Sequence, residues 1–440
     1  MRRITLIAAL LFLFACGGAA RGRADELPQL LRVRQKNVEE KVKKNIYIRR
    51  MYPDSANEAV NEEIRVVVDW MTEKNRGILP QQADTNAYLE TGAVITRTGT
   101  CWMSFLTLCE AAYAHELMSV EFDARVYDMG TGERVLLTDV FEPESEAWDV
   151  LAGAVREQLS AAFPGEEPDE EALLRLCQRE NLQNAAFTLS VSRLTLTYRA
   201  DEVYPGKNTL LHVQVYYPDI RPMMTPRAWA QTENRHFKLI ALTFDDGNVM
   251  GRSRRLLEQL RRYGAQATYF IVGRTMRNNH DMLSRLQNGG YSVQSHTYTH
   301  RYPNEITPEE AMEDRLRFEE ELASITGVAP TLMRSPGGMD TFYVRNRFDY
   351  PLIHWSIAGG DSGGTRQGAV EEAVLKQARD GAVVLLHETN DAVPEYTATI
   401  LKELSDEGFL FVTVEELFAA RGVELEPNRV YFSPSDVRDP

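Results

Sequence analysis

Two histidines and an aspartate have the residue types and spacing of a metal site. His296 and His300 stand at positions i and i+4, and on one helical turn this spacing points two imidazole rings at a common ion. Asp246 offers a carboxylate as a third ligand, and three protein ligands leave a coordination position open for water and substrate. The pattern predicts a divalent metal ion, zinc, held by Asp246, His296 and His300.

Further polar residues stand directly after other apolar segments. Asp245 precedes Asp246, Arg334 is followed closely by Gly337, and His387 ends a fully apolar run. An arginine orients a carboxylate through paired hydrogen bonds, a glycine lets a backbone N–H approach a ligand, and a histidine at the rim of a core is placed for general acid catalysis. Taken singly, an Asp-Asp-Gly sequence is typical of a turn and such a histidine of a structural role, so the argument depends on their joint occurrence.

The elements that would position these residues alternate between strand and helix. Seven apolar segments predict strands, at 239–244, 267–272, 291–293, 331–333, 352–357, 383–386 and 409–414, with amphipathic helices between them. One helix start is explicit, because Thr307 and Glu310 form a capping box with Pro308 at the first helical position. Strands that alternate with helices predict a parallel sheet or barrel, in which the loops after the strands converge on one face.

In this order, the motifs of about residues 236–420 resemble those of the polysaccharide deacetylase family of the NodB type, also called carbohydrate esterase family four. The resemblance implies an α/β fold, an incomplete (β/α)7 barrel, preceded here by a smaller α+β domain. It also implies a metal-dependent hydrolase that removes N-acetyl groups from an extracellular amino-sugar polymer, with peptidoglycan as the expected substrate.

The resemblance assigns a role to each matching position. It implies that Asp245 is the general base and that Arg334 holds its carboxylate in place. The remaining roles are those of the metal ligands (Asp246, His296, His300), the backbone N–H that faces the oxyanion (Gly337), the wall of the acetyl pocket (Leu385), the general acid (His387) and the carboxylate that keeps this acid protonated (Asp361). The chain departs from the family at Ser362, where a tryptophan is common, and at Gln294, where a small residue is common.

The N-terminal part carries a different pattern. Alternating apolar residues around 120–126 and 187–217 predict antiparallel strands with one wet face, and Trp148, Leu151, Val155 and Leu159 recur at helical spacing. We therefore predict an α+β domain over 41–220, a linker over 221–236, the deacetylase barrel over 237–425 and a C-terminal tail over 426–440.

The first residues have the pattern of an export signal. A charged start and a short apolar run predict an export signal, and the four residues that end at Cys16 resemble the lipobox of bacterial lipoproteins. The resemblance implies a lipoprotein signal peptide over 1–16, followed by a polar tether over 17–40. Acylation of Cys16 would anchor the protein in a membrane, facing outside the cytoplasm, whereas plain secretion is the alternative interpretation. Cys101, Cys109 and Cys177 then remain, and a bridge between Cys101 and Cys109 stays open.

Charge narrows the choice of partners. The formal net charge is -15, which disfavours nucleic acid as a partner. The family resemblance implies a glycan as the partner. Poly-N-acetylglucosamine, chitin-like oligomers and acetylxylan remain alternative substrates, and a non-catalytic glycan-binding lipoprotein is the alternative outside the enzyme class. The presence of the base, the three ligands, the arginine and the acid in one chain favours the enzyme, because binding alone would not need them all.

Overall fold

The computed structural model describes residues 31–235, 237–247, 250–339, 348–362 and 367–438. The predicted signal peptide (1–16) with Cys16 lies outside the described residues, as does the predicted tether up to residue 30. Within the described ranges, no helix is long and apolar enough to cross a bilayer.

A six-stranded sheet begins the described chain, with its strands in sequence order from edge to edge. The strands are β1 (Val33–Lys43), β2 (Ile46–Ser55), β3 (Ala87–Thr98), β4 (Trp102–Tyr113), β5 (Glu116–Asp128) and β6 (Arg134–Val135). β2 and β3 are parallel because helix α1 (Glu58–Asn75) connects them, and the other neighbours are antiparallel. The tether prediction was wrong from residue 33 onward. Most of its polar residues are exposed along β1, although Gln35 is buried, and strand pairing uses the backbone and tolerates them.

A second, three-stranded sheet follows. It consists of β7 (Phe187–Leu189), β8 (Arg193–Arg199) and β9 (Leu210–Tyr216), all antiparallel. Its helices are α2 (Leu137–Val140), α3 (Ala147–Ser160), α4 (Glu170–Leu176) and α5 (Arg179–Gln183). The four apolar positions predicted for one helical face are all buried on α3, in one core with the strands of this sheet.

The predicted linker is folded against the first sheet. Helix α6 (Tyr217–Ile220), a 3-10 turn at Arg221–Met223 and helix α7 (Pro226–Gln231) carry the chain towards the barrel. The Thr98 hydroxyl donates to the Gln231 backbone carbonyl at 3.0 Å, and the Gly99 N–H donates to the Asn234 side chain at 3.2 Å. The connection therefore fixes the position of the barrel.

The barrel contains the parallel strands β10 (Lys238–Asp246), β11 (Thr268–Ile271), β12 (Ser292–Ser295), β13 (Leu352–Ile353), β14 (Ile357–Ala358), β15 (Ala382–His387), β16 (Phe409–Phe411) and β17 (Val430–Ser433), with β18 (Asp436–Arg438) antiparallel to β17. Its helices are α8 (Met250–Tyr263), α9 (His280–Asn288), α10 (Pro308–Thr326), α11 (Gln367–Gln377), α12 (Val393–Asp406) and α13 (Val414–Ala420). The strands run in the order β14, β15, β10, β11 and β12, and β16 pairs with the start of β10. Single bridges through Met333 continue the row to β13. In the described chain β14 pairs only with β15, so the row does not close. The predicted α/β barrel with a preceding sheet-rich region is confirmed.

Three local predictions for this region were imprecise. The strand predicted at 331–333 is a single bridge at Met333, and the one predicted at 352–357 is split into β13 and β14. The predicted tail contains β17 and β18, because Val430 and Tyr431 are buried and β17 pairs with β13. The barrel thus extends to residue 438. The predicted cap of α10 is confirmed, with Thr307 and Glu310 in a reciprocal capping box.

Charged residues join the first sheet to the barrel. Glu110, fully buried on β4, lies 3.0 Å from Nη2 of Arg261 on α8 and accepts from Asn288 on α9 at 3.0 Å. Glu90 on β3 pairs with Arg285 on α9. The Glu110–Arg261 pair is buried on both sides and Glu90 is partly exposed, so the sheet and the barrel share an interface with neutralised charge.

Cys109 and Cys177 are free thiols. Cys101 stands just before β4 and Cys109 lies within this strand, so at about 3.3 Å per residue they are about 25 Å apart. A disulfide requires Cα atoms within about 7 Å, which excludes the Cys101–Cys109 bridge left open above.

Candidate active site

The predicted site residues lie at the carboxyl ends of the barrel strands. Asp245 and Asp246 end β10, His296 follows β12, Arg334 follows the bridge at Met333, and His387 ends β15. In a parallel sheet these ends meet on one face, which brings distant parts of the sequence together.

One ligand atom each from Asp246, His296 and His300 lies within 4.8 Å of the others. Oδ1 of Asp246 is 3.3 Å from Nε2 of His300 and 3.7 Å from Nε2 of His296. Nδ1 of His296 lies 2.8 Å from the backbone carbonyl of Arg334. A carbonyl oxygen only accepts, so Nδ1 carries the proton and the lone pair of Nε2 faces the cluster. Two imidazole nitrogens and a carboxylate oxygen are a donor set that suits a divalent transition ion.

The backbone that holds these ligands differs from the predicted helical turn. His296 to His300 form an irregular loop after β12, in which Thr297 and His300 have φ of 63° and 58°. Asp246 also has a left-handed φ, of 72°. Positive φ is rare for residues other than glycine and concentrates at functional sites. Asp314 on α10 stabilises the loop, because its carboxylate accepts from the Thr299 N–H at 2.9 Å and from the Thr299 hydroxyl at 2.6 Å.

Burial and neighbouring groups shift the pKa values of two of these ligands. Burial lowers the pKa of His296, although the nearby Asp245 carboxylate partly opposes this effect. Burial raises the pKa of Asp246, but the hydrogen bond from His300 and the neighbouring histidines outweigh it, so the pKa of Asp246 is lowered. A neutral imidazole and an ionised carboxylate are the forms that bind a metal ion.

Asp245 and Arg334 form a buried ion pair beside this cluster. Nη1 of Arg334 lies 2.6 Å from Oδ1 of Asp245 and 2.7 Å from the Thr243 hydroxyl. The other guanidinium nitrogens donate to the carbonyls of Ile353 and His354 at 2.9 and 3.0 Å. Arg334 is completely buried, and burial lowers its pKa. These contacts fix the position of Arg334. The second carboxylate oxygen of Asp245, Oδ2, lies 3.8 Å from Nε2 of His296.

His387 forms a second hydrogen-bonded group. Its Nδ1 lies 2.8 Å from Oδ1 of Asp361, and its backbone N–H donates to Oδ2 of Asp361 at 2.7 Å. Burial lowers the pKa of His387, but the hydrogen bond to Asp361 and the charges of Asp245, Asp361 and Asp246 outweigh it, so this pKa is raised. Asp245 and His387 are paired in register on adjacent strands, which places His387 at the edge of the site.

Gly337 and Gly338 lie between two aromatic rings. Both have positive φ, of 67° and 65°. A Cβ atom on Gly337 would stand 2.7 Å from the Tyr302 ring, and one on Gly338 would stand 2.6 Å from the Trp355 ring. Backbone conformation and close contact therefore both require glycine here.

The sequence-predicted residues are thus largely brought together. Asp245, Asp246, His296, His300 and Arg334 are linked by direct contacts, and His387 and Asp361 stand beside them. Leu385 is buried on β15, two residues before His387 and on the same face of the strand. Gly337 stands three residues after Arg334, and Cys16 lies outside the described residues.

Comparison with known proteins identifies the family. Residues 232–348 match the family described as polysaccharide deacetylase. A peptidoglycan-N-acetylglucosamine deacetylase of Bacillus cereus is 31% identical over 191 residues, which cover 41% of this chain and 88% of that protein. The chain belongs to the polysaccharide deacetylase family. The predicted enzyme class is thereby confirmed.

A second relative and one solved structure are also similar to this chain. The peptidoglycan-N-acetylglucosamine deacetylase PgdA of Listeria monocytogenes is 28% identical over 320 residues, 71% of this chain and 67% of that protein. A solved structure of the peptidoglycan deacetylase PdaC from Bacillus subtilis is 27% identical, covers 42% of this chain and 92% of that one, and has a TM-score of 0.41.

Sequence reasoning missed several residues of the deacetylase site. Thr243 precedes Asp245 by two positions on β10, so the two-residue period of a strand could have placed it on the same face. The Thr389 hydroxyl donates to Oδ2 of Asp246 at 3.3 Å, and the Tyr396 hydroxyl donates to Oδ2 of Asp361 at 2.6 Å. Asp314 and Tyr396 are on helices, where no local pattern distinguishes them from other polar residues.

Proposed function

We propose that this enzyme removes N-acetyl groups from peptidoglycan amino sugars outside the cytoplasm and that it depends on a divalent metal ion. The observation that carries the proposal is the convergence of Asp246, His296 and His300 within 4.8 Å, with the Asp245 carboxylate 3.8 Å from His296. The choice of peptidoglycan is supported by the names of the relatives, which include deacetylases of its N-acetylglucosamine.

The metal would be held by Asp246, His296 and His300, and we propose zinc. Two neutral imidazole nitrogens and a carboxylate oxygen would be three protein ligands, the number typical of catalytic zinc, which keeps a further position for water or substrate. A divalent cation there supplies Lewis acidity, which makes water easier to deprotonate and an amide carbonyl more electrophilic.

The remaining roles belong to the chain's own groups. Asp245 accepts the proton of the attacking water, and Arg334 keeps its carboxylate oriented through the 2.6 Å contact. His387, with a raised pKa, retains the proton that the departing amine needs, and Asp361 holds its ring in place. We propose that the Gly337 N–H stabilises the oxyanion and that Leu385 contacts the acetyl methyl group.

We also propose the location of the protein. A lipoprotein signal ending at Cys16 would leave a lipid-anchored enzyme on the outer side of the membrane, within reach of the cell wall. We assign catalysis to the barrel, from residue 237 onward. The region before it is then free to position the barrel or to contact glycan.

Acetate release tests the proposed reaction. Purified peptidoglycan, an N-acetylglucosamine oligomer and acetylated xylan are incubated with the enzyme, with and without a chelator. We expect release from peptidoglycan that stops with the chelator and returns when zinc is added. Release from xylan alone would reject peptidoglycan as the substrate.

The rival glycan-binding function makes a different prediction. A binding protein would retain peptidoglycan but release no acetate, even with one equivalent of metal bound. His296→Ala should lose metal and activity together, whereas Glu313→Gln, on an exposed side chain of α10, is the matched control. Metal-loaded protein without turnover on any of the three substrates would overturn the proposal.

A further inference from the structure

A cavity of about 360 Å³ lies between the three-stranded sheet and the barrel. It stands at the amino end of β12, the opposite end of this strand from His296. We call it the interdomain pocket and define it by residues from both sides: Arg193, Gln214 and Tyr216 from the sheet, and Gln287, Gln294 and Glu415 from the barrel. The proposed mechanism makes no use of it.

One wall is the polar face of the three-stranded sheet. Arg193 pairs in register with Tyr216, and Thr195 pairs with Gln214. The residues between them point the other way, into the apolar core with α3. The sequence pattern predicted a wet face here, and this face looks across the cavity at the barrel. Polar groups enclosed at such an interface cost free energy unless hydrogen bonds satisfy them.

Several of these polar groups lack close partners. Nη1 of Arg193 is 3.5 Å from the Tyr216 hydroxyl and its Nη2 is 3.8 Å from Glu416, although strong contacts of this kind are about 2.7–2.9 Å long. Arg193 itself is buried, at 7% exposure. Among the described residues, Oε2 of Glu415 has no hydrogen-bond partner, and neither does Oε1 of Gln266 in the adjoining smaller cavity. The Arg193 guanidinium thus keeps hydrogen-bonding capacity for a ligand, whereas the two unpartnered oxygens are shielded from the cavity.

The opposite wall is rigid. Oε1 of Gln294 accepts from the N–H groups of Thr331 and Leu332 at 2.8 Å each, and its Nε2 donates to Glu415 at 2.7 Å. The Gln294 side chain therefore holds this wall in place.

The charges of the lining disfavour an anionic ligand. The Arg193 guanidinium is opposed by Glu415 and Glu416, so the lining offers no surplus of positive charge for an anion. Burial lowers the pKa of His212 to about 4, so this residue adds no charge at neutral pH. Amide and hydroxyl groups both donate and accept, and carboxylates accept, so together they match a ligand with many hydroxyl groups. The volume is within the range of about 300–1,000 Å³ of small-molecule sites.

We propose that the interdomain pocket binds a neutral saccharide unit of a glycan, separately from the active site. The pocket is open to solvent, because Val328, Ala329 and Thr331 at its rim are exposed. A glycan held there would add a second contact to the same polymer and raise the effective concentration of substrate at the barrel. The binding step itself does not depend on the proposed deacetylation.

Calorimetric titration with an N-acetylglucosamine tetramer tests the proposal. The full chain carries Asp245→Asn, which strongly slows turnover during the titration. Ala329→Trp, added on this background, fills the mouth of the pocket, and Gln214→Leu removes an amide with little change in volume. Ala329→Ser is the matched control, and the unfolding temperature checks that each variant is folded.

We expect Ala329→Trp and Gln214→Leu each to weaken tetramer binding at one site by 10-fold or more, with Ala329→Ser unchanged. Acetate release is measured separately with protein that retains Asp245. The binding result can therefore be interpreted even if the proposed deacetylation fails. Absence of tetramer binding, or binding that neither pocket variant weakens, would overturn the proposal.

Discussion

The hydroxyl of Tyr396 donates to Oδ2 of Asp361 at 2.6 Å, while Oδ1 of the same carboxylate lies 2.8 Å from Nδ1 of His387. Tyr396 and Asp361 are both buried, and the tyrosine is on α12, so a helix fixes the carboxylate that orients a strand-end histidine. Because Oδ2 is already satisfied by Tyr396 and by the His387 N–H, the ring of His387 has one favoured orientation.

Asp361→Asn should lower the pKa of His387, because the carboxylate charge and its hydrogen bond raise this pKa in the native protein. A general acid must be protonated, so the alkaline limb of the profile of kcat/KM against pH should move to lower pH. We expect activity on that limb to fall by roughly 10-fold to 100-fold. Tyr396→Phe is the control: it loses about 1 kcal/mol of hydrogen bonding but leaves the Asp361 charge, so its limb should shift less. If the alkaline limb of the Asp361→Asn profile stayed at the wild-type pH, the pairing of Asp361 with His387 would be rejected.

Asp245→Asn should reduce kcat by about 10²–10⁴-fold while the metal content stays at the wild-type level. The amide keeps the shape of the side chain next to Arg334, but it is a poor base, and Asp245 is outside the proposed ligand set. Metal analysis of the purified variant and acetate release measure the two effects. Loss of metal in this variant would instead make Asp245 a ligand.

Asp314→Asn should weaken metal binding without touching a ligand. The carboxylate of Asp314 accepts from both the N–H and the hydroxyl of Thr299, next to His300. Loss of one acceptor frees the loop that holds His300 in its left-handed conformation, and such supporting contacts are worth about 10–100-fold in metal affinity. Competition with a chelating dye measures the affinity, and Glu313→Gln on the same helix should leave it unchanged. Equal affinity in the two variants would contradict the role of Asp314.

Glu110→Gln should lower the free energy of unfolding by about 3–5 kcal/mol, because it leaves Arg261 buried without this carboxylate. The exposed pair between Lys402 and Glu403 is the comparison, and Glu403→Gln should cost about 1 kcal/mol or less. Urea unfolding of the two variants measures both values. A similar small loss in both would show that the contact between the first sheet and the barrel does not depend on this pair.

Local rules explain what the sequence established by itself. Apolar segments of strand length located β10, β11, β12 and β15, and the capping box at Thr307 located the start of α10, because these signals depend on neighbouring residues. The polar residues after those strands were sufficient to select Asp245, Asp246, His296 and His387, since parallel strands bring their carboxyl ends to one face.

Only the tertiary structure decided which other groups complete the site and where the polar faces point. Asp314 and Tyr396 reach the site from helices, and the contacts that place them span many residues of chain. The largely exposed β1 and the short β17 were missed because pairing with β2 and β13 defines them, whereas their own apolar patterns are too weak to predict a strand. The wet face of β8 and β9 was predicted from its alternation, but the barrel opposite it turns this face into a pocket. Alternation shows that a face is polar, whereas the partner that covers it is set by packing between distant segments.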